Sequence, residues 1–335
     1  SLGIFDEDFL EYLSSFHFSG DIYAIPEGTV VFPREPLVKV IAPIMEAQLV
    51  ETAILTIINH QSLIATKAAR VVNAARGDGI MEFGLRRAQG PDAGVYGARA
   101  AMIGGCVGTS NVLTGQLFDV PVLGTHAHSW IMSFSDEYTA FKTYAKLYPN
   151  ACTLLVDTYD TLKSGVPNAI RVFKEMRKAK KLNGRYGIRL DSGDLAYLSK
   201  EARKMLDAAG FHDAVISASS DLDEYLIDSL KTQGAKITSW GVGTNLITSR
   251  DCPAFGGVYK LAAVKKGDGE FVPKIKLSEN TEKITNPGDK TVYRIYEKAN
   301  GKLKADLICL TDDQFDTSDD LIIFDPLETW KKTHL

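Results

Sequence analysis

"RYGIRLDSGDLAYLSKEARKMLDAAG", Arg185 to Gly210, decides how the whole chain is read. It opens with a short apolar run that ends in polar groups at Asp191 and Ser192. A run of that length between turn signals suits a buried strand. From Leu195 the apolar residues recur at helical spacing, and Gly210 supplies a stop. A strand running into an amphipathic helix is the repeating unit of a parallel sheet with helical crossovers.

The unit recurs along the chain. Other short apolar runs are "GIMEFGLR" (79–86), "IGGCVGT" (103–109), "VPVLGTHAH" (120–128), "ACTLLVDT" (151–158), "DAVISASS" (213–220) and "KITSWGVG" (236–243). Most are separated by amphipathic stretches, such as "SDEYTAFKTYAKLY" behind the Ser135/Asp136 cap signal. About seven such units predict an α/β fold. A closed, TIM-like parallel barrel is expected rather than an open doubly wound sheet, because polar residues sit at every strand end.

The flanks differ. Residues 3 to 15 read as a short helix, and Gly20 to Pro43 as short antiparallel strands. From Met45 to Ala75 the pattern is one long helix without internal Gly or Pro. After Phe255 the chain returns to strands and turns, with a hairpin around Gly267–Gly269. Residues 1–44 and 256–335 are therefore expected to form one split, β-rich domain around a barrel over 45–255.

The composition sets outer limits. The chain has 335 residues, is 45% hydrophobic and 24% charged, and carries a net charge of −4. That is ordinary globular composition, with no basic surplus for nucleic acid. No apolar run is long enough to span a membrane. The four scattered cysteines form no C-x-x-C pair and suit a reducing cytoplasm. The chain starts on Ser1 and in mid-helix, so a piece of something longer is expected.

In α/β barrels the chemistry sits at the C-terminal strand ends. Those ends carry Phe83 with Arg86 and Arg87, Thr109 with Ser110, Thr125 with His126 and His128, and Asp157 with Asp160. They continue with Arg189, Asp191, Ser192 and Asp194, then Ser219, Ser220 and Asp221, then Gly241, Gly243 and Thr244. Arginines there bind carboxylate or phosphate in bidentate fashion. Asp191 and Asp194 suit sugar hydroxyls or Mg²⁺. Small residues in "WGVGTN" let backbone N–H groups approach a phosphate. Together these suggest a phosphorylated, sugar-containing anionic substrate.

Each feature also has a plain structural reading. "DSGD" is a helix cap, Asp157 and Asp160 are caps, "GVGTN" is a tight turn, and Phe83 is core. The pair His126 and His128 stands as a metal clamp, a base or nucleophile beside a structural neighbour, or two packed imidazoles. The clamp is short of ligands: the other histidines are His17, His60, His212 and His334, and none obviously ends a strand.

The motifs "QSLIATKAARV", "EFGLRRAQGPD", "GTSN", "GTHAHSW", "GIRLDSGDL" and "SWGVGTNL", in this order, resemble those of the nicotinate phosphoribosyltransferases, which are type II phosphoribosyltransferases. The resemblance runs over essentially the whole chain. It implies an irregular α/β barrel beside an α/β sandwich domain. It implies condensation of nicotinate with phosphoribosyl pyrophosphate, coupled to ATP hydrolysis, in a cytoplasmic homodimer with shared active sites. His128 matches the phosphorylated histidine of a T-x-A-H pattern, and Phe83 the aromatic that stacks on the pyridine ring. Arg86 lies in the same motif as Phe83, with Arg87 beside it to offset pyrophosphate charge. Arg189 matches a substrate-anion arginine. Asp191 and Asp194 would sit by the ribose and its Mg²⁺, near Thr125 and Ser192. Ser219, Ser220, Gly241, Gly243 and Thr244 would face phosphate. Ser110 stands where nicotinamide-using relatives carry Asp, which favours the acid substrate.

Family members also carry an N-terminal segment with a Tyr that stacks in a neighbouring subunit's site, and they continue beyond "ETWKK"; neither is in this sequence. Other readings are a nicotinamide- or quinolinate-using relative, a metal-dependent hydrolase built on His126 and His128, and a non-catalytic nucleotide binder. On the transferase reading, loss of His126 is expected to be much milder than loss of His128.

Overall fold

A computed structural model describes residues 3–277, 279, 286–314, 322–324, 328 and 330–334. The chain divides into two compact units, one of residues 1–55 with 258–335 and one of residues 56–257. Parts of the expected return leg 256–335 lie outside the described residues.

The first leg holds helix α1 (Glu7–Ser14), the antiparallel strands β1 (Asp21–Ala24) and β2 (Val38–Ile41), and helix α2 (Ile44–Leu49). Helix α3 (Glu51–Ala74) follows after a break at Val50. The expected single long helix is thus two.

The second unit alternates strands and helices: β3 (Gly79–Glu82), α4 (Pro91–Ile103), β4 (Gly108–Thr109), α5 (Val112–Phe118), α6 (His128–Met132), α7 (Glu137–Leu147), β5 (Ala151–Leu155), α8 (Val166–Lys178), β6 (Arg185–Leu190), α9 (Leu195–Ala208), β7 (Val215–Ala218), α10 (Glu224–Thr232), β8 (Ser239–Val242) and α11 (Thr244–Ile247). Its strands form one six-stranded parallel sheet in the order β4-β3-β8-β7-β6-β5. Six ladder strands stand where about seven were expected. The run 120–128 contributes only an isolated parallel bridge, Val122 to Thr109. Pro121 in that run has no N–H to give a ladder.

The return leg supplies three antiparallel pairs, β9 (Ala263–Val264) with β10 (Val272–Pro273), β11 (Lys290–Tyr296) with β12 (Leu303–Leu310), and β13 (Ile322–Phe324) with β14 (Lys332–His334). The first of these is the hairpin expected around Gly267–Gly269. Arg294 grips Asp306 across β11–β12 through Nε and Nη2, each at 2.8 Å.

Period-two alternation sorts each parallel strand into a helix-facing and an interior side. In β6, Tyr186, Ile188 and Leu190 are buried, and the Tyr186 ring lies 5.0 Å from Phe173 of α8 and 6.0 Å from Phe211. Gly187 and Arg189 take the opposite side. The apolar core is the layer between sheet and helices, with Phe141, Phe173, Phe211 and Trp240 fully buried. Each such ring contributes about 1.5–3 kcal/mol on leaving water. Lys67 of α3 is buried in the same layer and pairs with Glu224 at 2.7 Å and Asp251 at 2.8 Å. A buried ammonium is tolerated only with such partners.

Gly187 is required by close packing: a Cβ there would lie 2.0 Å from the Val215 carbonyl oxygen on β7. Gly187→Ala is expected to destabilise the protein by roughly 1–3 kcal/mol or more through forced strand displacement. Urea unfolding would read this as a lower midpoint with an unchanged slope. An unchanged midpoint would show that the β6–β7 spacing yields freely.

Candidate functional site

The C-terminal ends of the six strands carry the polar residues singled out from the sequence. β6 supplies the hub. Arg189, with a side chain 17% exposed, donates from Nε to Ser219 Oγ at 2.8 Å, from Nη1 to Thr125 Oγ1 at 2.7 Å and from Nη2 to Asp191 Oδ1 at 2.8 Å. Asp191 Oδ1 also accepts from the Ser219 hydroxyl. One guanidinium thus ties the ends of β6 and β7 to the 120–128 segment.

A second cluster is joined to the first through Asp191. His128 starts α6, and its Nε2 meets Asp157 Oδ1 at 3.1 Å. The His128 side chain is 39% exposed, whereas that of Asp157 is 2% exposed. Asp157 Oδ2 accepts from the Asp191 amide at 2.8 Å and from Ser192 Oγ at 2.7 Å. A buried carboxylate with three donors is a fixed acceptor. It orients the imidazole and holds a proton on Nε2.

The aromatic wall comes from β3 and β8. The Phe83 amide donates to Val242 O at 2.8 Å, and its ring covers Gly241, where a Cβ would lie 2.6 Å from the ring edge. The Arg189 guanidinium carbon is 5.8 Å from the Phe83 centroid, within cation–π range. Gly241 is therefore explained by Phe83. Gly243 lies beside the Phe83 carbonyl, 3.2 Å from where its Cβ would be.

Other expected residues are placed differently. Asp194 is the N-cap of α9, its Oδ1 accepting from the Tyr197 amide at 3.0 Å. Arg86 and Arg87 are exposed on a 3-10 turn, Leu85–Arg87, and make no side-chain bond among the described residues. Ser110 donates its amide to Glu82 O at 3.0 Å, and its hydroxyl has no bond among the described residues. Ser220 has φ +104, a conformation rare outside glycine. Thr244 opens the short α11.

Four residues with clear tasks were missed or left unassigned. Asp157 stands in the sequence as a strand-end polar residue or a cap, with no partner named. Asp160 is a cap, bonding the Leu162 and Lys163 amides. Glu82 is fully buried and accepts from the Gly84 amide and from Thr109 Oγ1 at 2.6 Å. Burial pushes its pKa up, while the Thr109 and Gly84 bonds pull the other way. A lone acid inside the apolar run "GIMEF" was a usable signal. Asn245 donates Nδ2 to the carbonyls of Asp221 at 2.9 Å and Leu222 at 3.1 Å, pinning the strained turn after Ser219. His126 is buried and accepts the Leu155 amide on Nε2 at 3.3 Å.

The two histidines therefore face different partners, and among the described residues no group of three or more His, Cys, Asp or Glu gathers that could hold a metal. A zinc clamp finds no support in this arrangement.

The sequence matches the nicotinate phosphoribosyltransferase (NAPRTase) family over residues 79–294, that family's N-terminal domain over 1–59 and its C-terminal domain over 289–335. The nicotinate phosphoribosyltransferase of Bacillus subtilis is 55% identical over 326 residues, covering 97% of this chain and 66% of that protein. The human protein of the same name is 35% identical over 346 residues, covering 87% of this chain and 63% of that one. The chain thus spans less than two-thirds of the length of either relative. In structure, human nicotinic acid phosphoribosyltransferase superposes with a TM-score of 0.80 at 30% identity, covering 99% of this chain and 72% of that chain. Nicotinate-nucleotide pyrophosphorylase from Pyrococcus furiosus gives a TM-score of 0.70 at 25% identity, covering 95% and 74%.

Burial pushes the His126 pKa down to about 4, and the nearby charges of Arg189 and His128 act in the same direction. The unfolded chain takes that proton near pH ~6.5. Between the two values the unfolded state holds more protons, so this histidine's contribution is whole above about pH 6.5 and is lost as the pH falls toward 4. The stability advantage of the natural protein over His126→Gln is expected to shrink by up to about 3 kcal/mol between pH ~7 and pH ~4.5. Urea unfolding at both pH values checks this. Equal differences would show that His126 is not held neutral.

Proposed function

The chain belongs to the nicotinate phosphoribosyltransferase family, and from that premise we propose that it joins nicotinate to phosphoribosyl pyrophosphate with ATP as co-substrate. Nicotinate mononucleotide and pyrophosphate are the products, together with ADP and phosphate. This is the entry of nicotinate into NAD salvage. The observation that carries the reading is the His128–Asp157 pair, 3.1 Å apart, beside the Arg189 hub.

With its proton held on Nε2 by Asp157, His128 keeps a lone pair on Nδ1. That nitrogen attacks the γ-phosphorus of ATP. The N–P bond forms as the P–O bond to ADP breaks, and the electron pair leaves with ADP. The phosphorylated enzyme then binds its substrates in a state whose affinity is linked to the phosphate. The nicotinate ring nitrogen bonds to C1 of the ribose as the C1–O bond to pyrophosphate breaks. Positive charge builds on the ribose, so positioned groups matter more than a strong base. Water finally cleaves the N–P bond and restores His128.

The remaining residues take supporting roles on this reading. Phe83 stacks on the pyridine ring, and Ser110 donates its hydroxyl to the carboxylate where an acid would repel it. Arg189, Arg86 and Arg87 offset the substrate's negative charge, with Asp191, Thr125 and Ser192 beside the ribose. Ser219, Ser220, Gly243 and Thr244 face the 5′-phosphate, while Gly241, expected with them, seats the Phe83 ring.

Mg²⁺ belongs to the reading only in part. Asp194 caps α9 through Oδ1, and both side-chain bonds of Asp191 also fall on Oδ1. Asp191 fits an ion carried mainly by pyrophosphate oxygens, the usual manner for Mg²⁺ with phosphate substrates. When bound, the ion supplies charge neutralisation on the leaving group.

The finer architecture is part of the same proposal. The 120–128 segment completes an irregular closed barrel, and the two ends of the chain make a split α/β sandwich. The protein works as a cytoplasmic homodimer. Among the described residues no helix is long and apolar enough to cross a membrane.

Incubation with γ-labelled ATP is expected to leave an acid-labile, base-stable label, carried on Nδ1, that His128→Ala abolishes. Label that survives in this variant removes His128 from the role. Asp157→Asn is expected to slow labelling on the order of 10²–10⁴-fold, as loss of a tautomer-fixing carboxylate does. Stoichiometric zinc in the purified protein would replace this reading with the hydrolase. Ser110→Asp is expected to lower kcat/KM for nicotinate about tenfold or more while improving nicotinamide relative to it; competition between the two substrates checks this.

A further inference from the structure

That chemistry gives His126 no task, yet its surroundings are specific. The parallel sheet ends at β4 on one side and β5 on the other. The 120–128 segment is bonded to β4 by its backbone, with the Thr109 amide on Pro121 O at 3.0 Å and the Leu123 amide on Thr109 O at 2.9 Å. On the β5 side no backbone bond reaches it among the described residues. The Val156 amide turns toward β6, to Arg189 O at 3.1 Å, so the Leu155 amide before it points the other way. Leu155 is 1% exposed, so water cannot serve that donor. His126 Nε2 does.

We propose that His126 is a positioning residue whose imidazole replaces the missing backbone bond between the 120–128 segment and β5, and so fixes where His128 meets Asp157. The bond itself stands on geometry alone; its catalytic consequence rests on the phosphohistidine reading. The ring is clamped edge-on by Tyr144, with centroids 4.5 Å apart at 66°, and Phe141 lies 6.2 Å away. Thr125, on one side, is held by Arg189. On the other side Ala127 is extended, with φ −96 and ψ 167, and hands directly to His128. One extended residue transmits the position of its neighbour with little slack. A ring that stays neutral keeps its acceptor.

The test compares His126→Gln, which restores an acceptor, with His126→Phe, which keeps the ring and removes the acceptor. Three readouts are taken on the intact protein: labelling of His128 by γ-labelled ATP, steady-state kcat and KM, and amide exchange of the peptide covering 151–156. The Phe variant is expected to lose roughly tenfold or more in labelling rate and kcat, with KM for phosphoribosyl pyrophosphate within about twofold. The Leu155 amide should exchange faster in it. The Gln variant is expected to keep about half or more of the natural rate, with natural exchange. A Phe variant as fast as the natural protein overturns the proposal. So does a Gln variant as slow as Phe while its melting temperature is unchanged. If the natural protein takes no label from ATP, the phosphohistidine reading fails instead. Exchange then decides alone: faster in Phe but not in Gln upholds the bond, and no difference overturns it.

Discussion

A parallel sheet leaves a row of unpaired amides and carbonyls along each edge, and in this chain β4 and the C-terminal end of β5 are buried. Edge groups without water must find partners inside the protein. On β4 the partner is the backbone of residues 121–123, and on β5 it is one imidazole nitrogen. The loop that satisfies both edges is the one that carries Thr125 and His128. His128 sits at the seam of the sheet, where the chain is least regular and its placement rests on side-chain bonds.

Charge at the site is distributed by the same economy. Asp157 receives an amide, a hydroxyl and an imidazole, while Asp191 receives a guanidinium and a hydroxyl. Each carboxylate thereby replaces its lost water with fixed donors. Asp191 touches both clusters, through its amide on one side and its side chain on the other, so the Arg189 and His128 groups are mechanically one assembly. Shape does the rest: the absent Cβ of Gly241 gives Phe83 its seat.

The alternation of strands and helices was legible because burial on both faces makes parallel strands continuous apolar runs. Six of the seven runs hold a strand. The seventh, "VPVLGTHAH", reads as a strand by composition yet pairs by backbone with β4 alone, where Pro121 lacks a donor, and reaches β5 through the His126 ring. No periodicity encodes that exchange. Val50 breaks the first long helical pattern with only ordinary residues around it, and the break was invisible for that reason. At the site, strand-end positions were readable, but partnerships were not. Asp157 and Asp194 look alike in sequence, each a polar group after a strand; only the fold makes one the mate of His128 and the other a helix cap.

Arg189 shows what such wiring does to binding. Its three hydrogen bonds, to Ser219, Thr125 and Asp191, are all made within the protein. The rotamer freedom of a long side chain is surrendered once, during folding, rather than each time an anion docks. Two N–H groups, one on each terminal nitrogen, stay uncommitted by those bonds. On the proposed transferase reading an anion would meet a preorganised receptor: the entropic cost of ordering the arginine would be absent from its affinity, leaving desolvation of the two partners as the main opposing term.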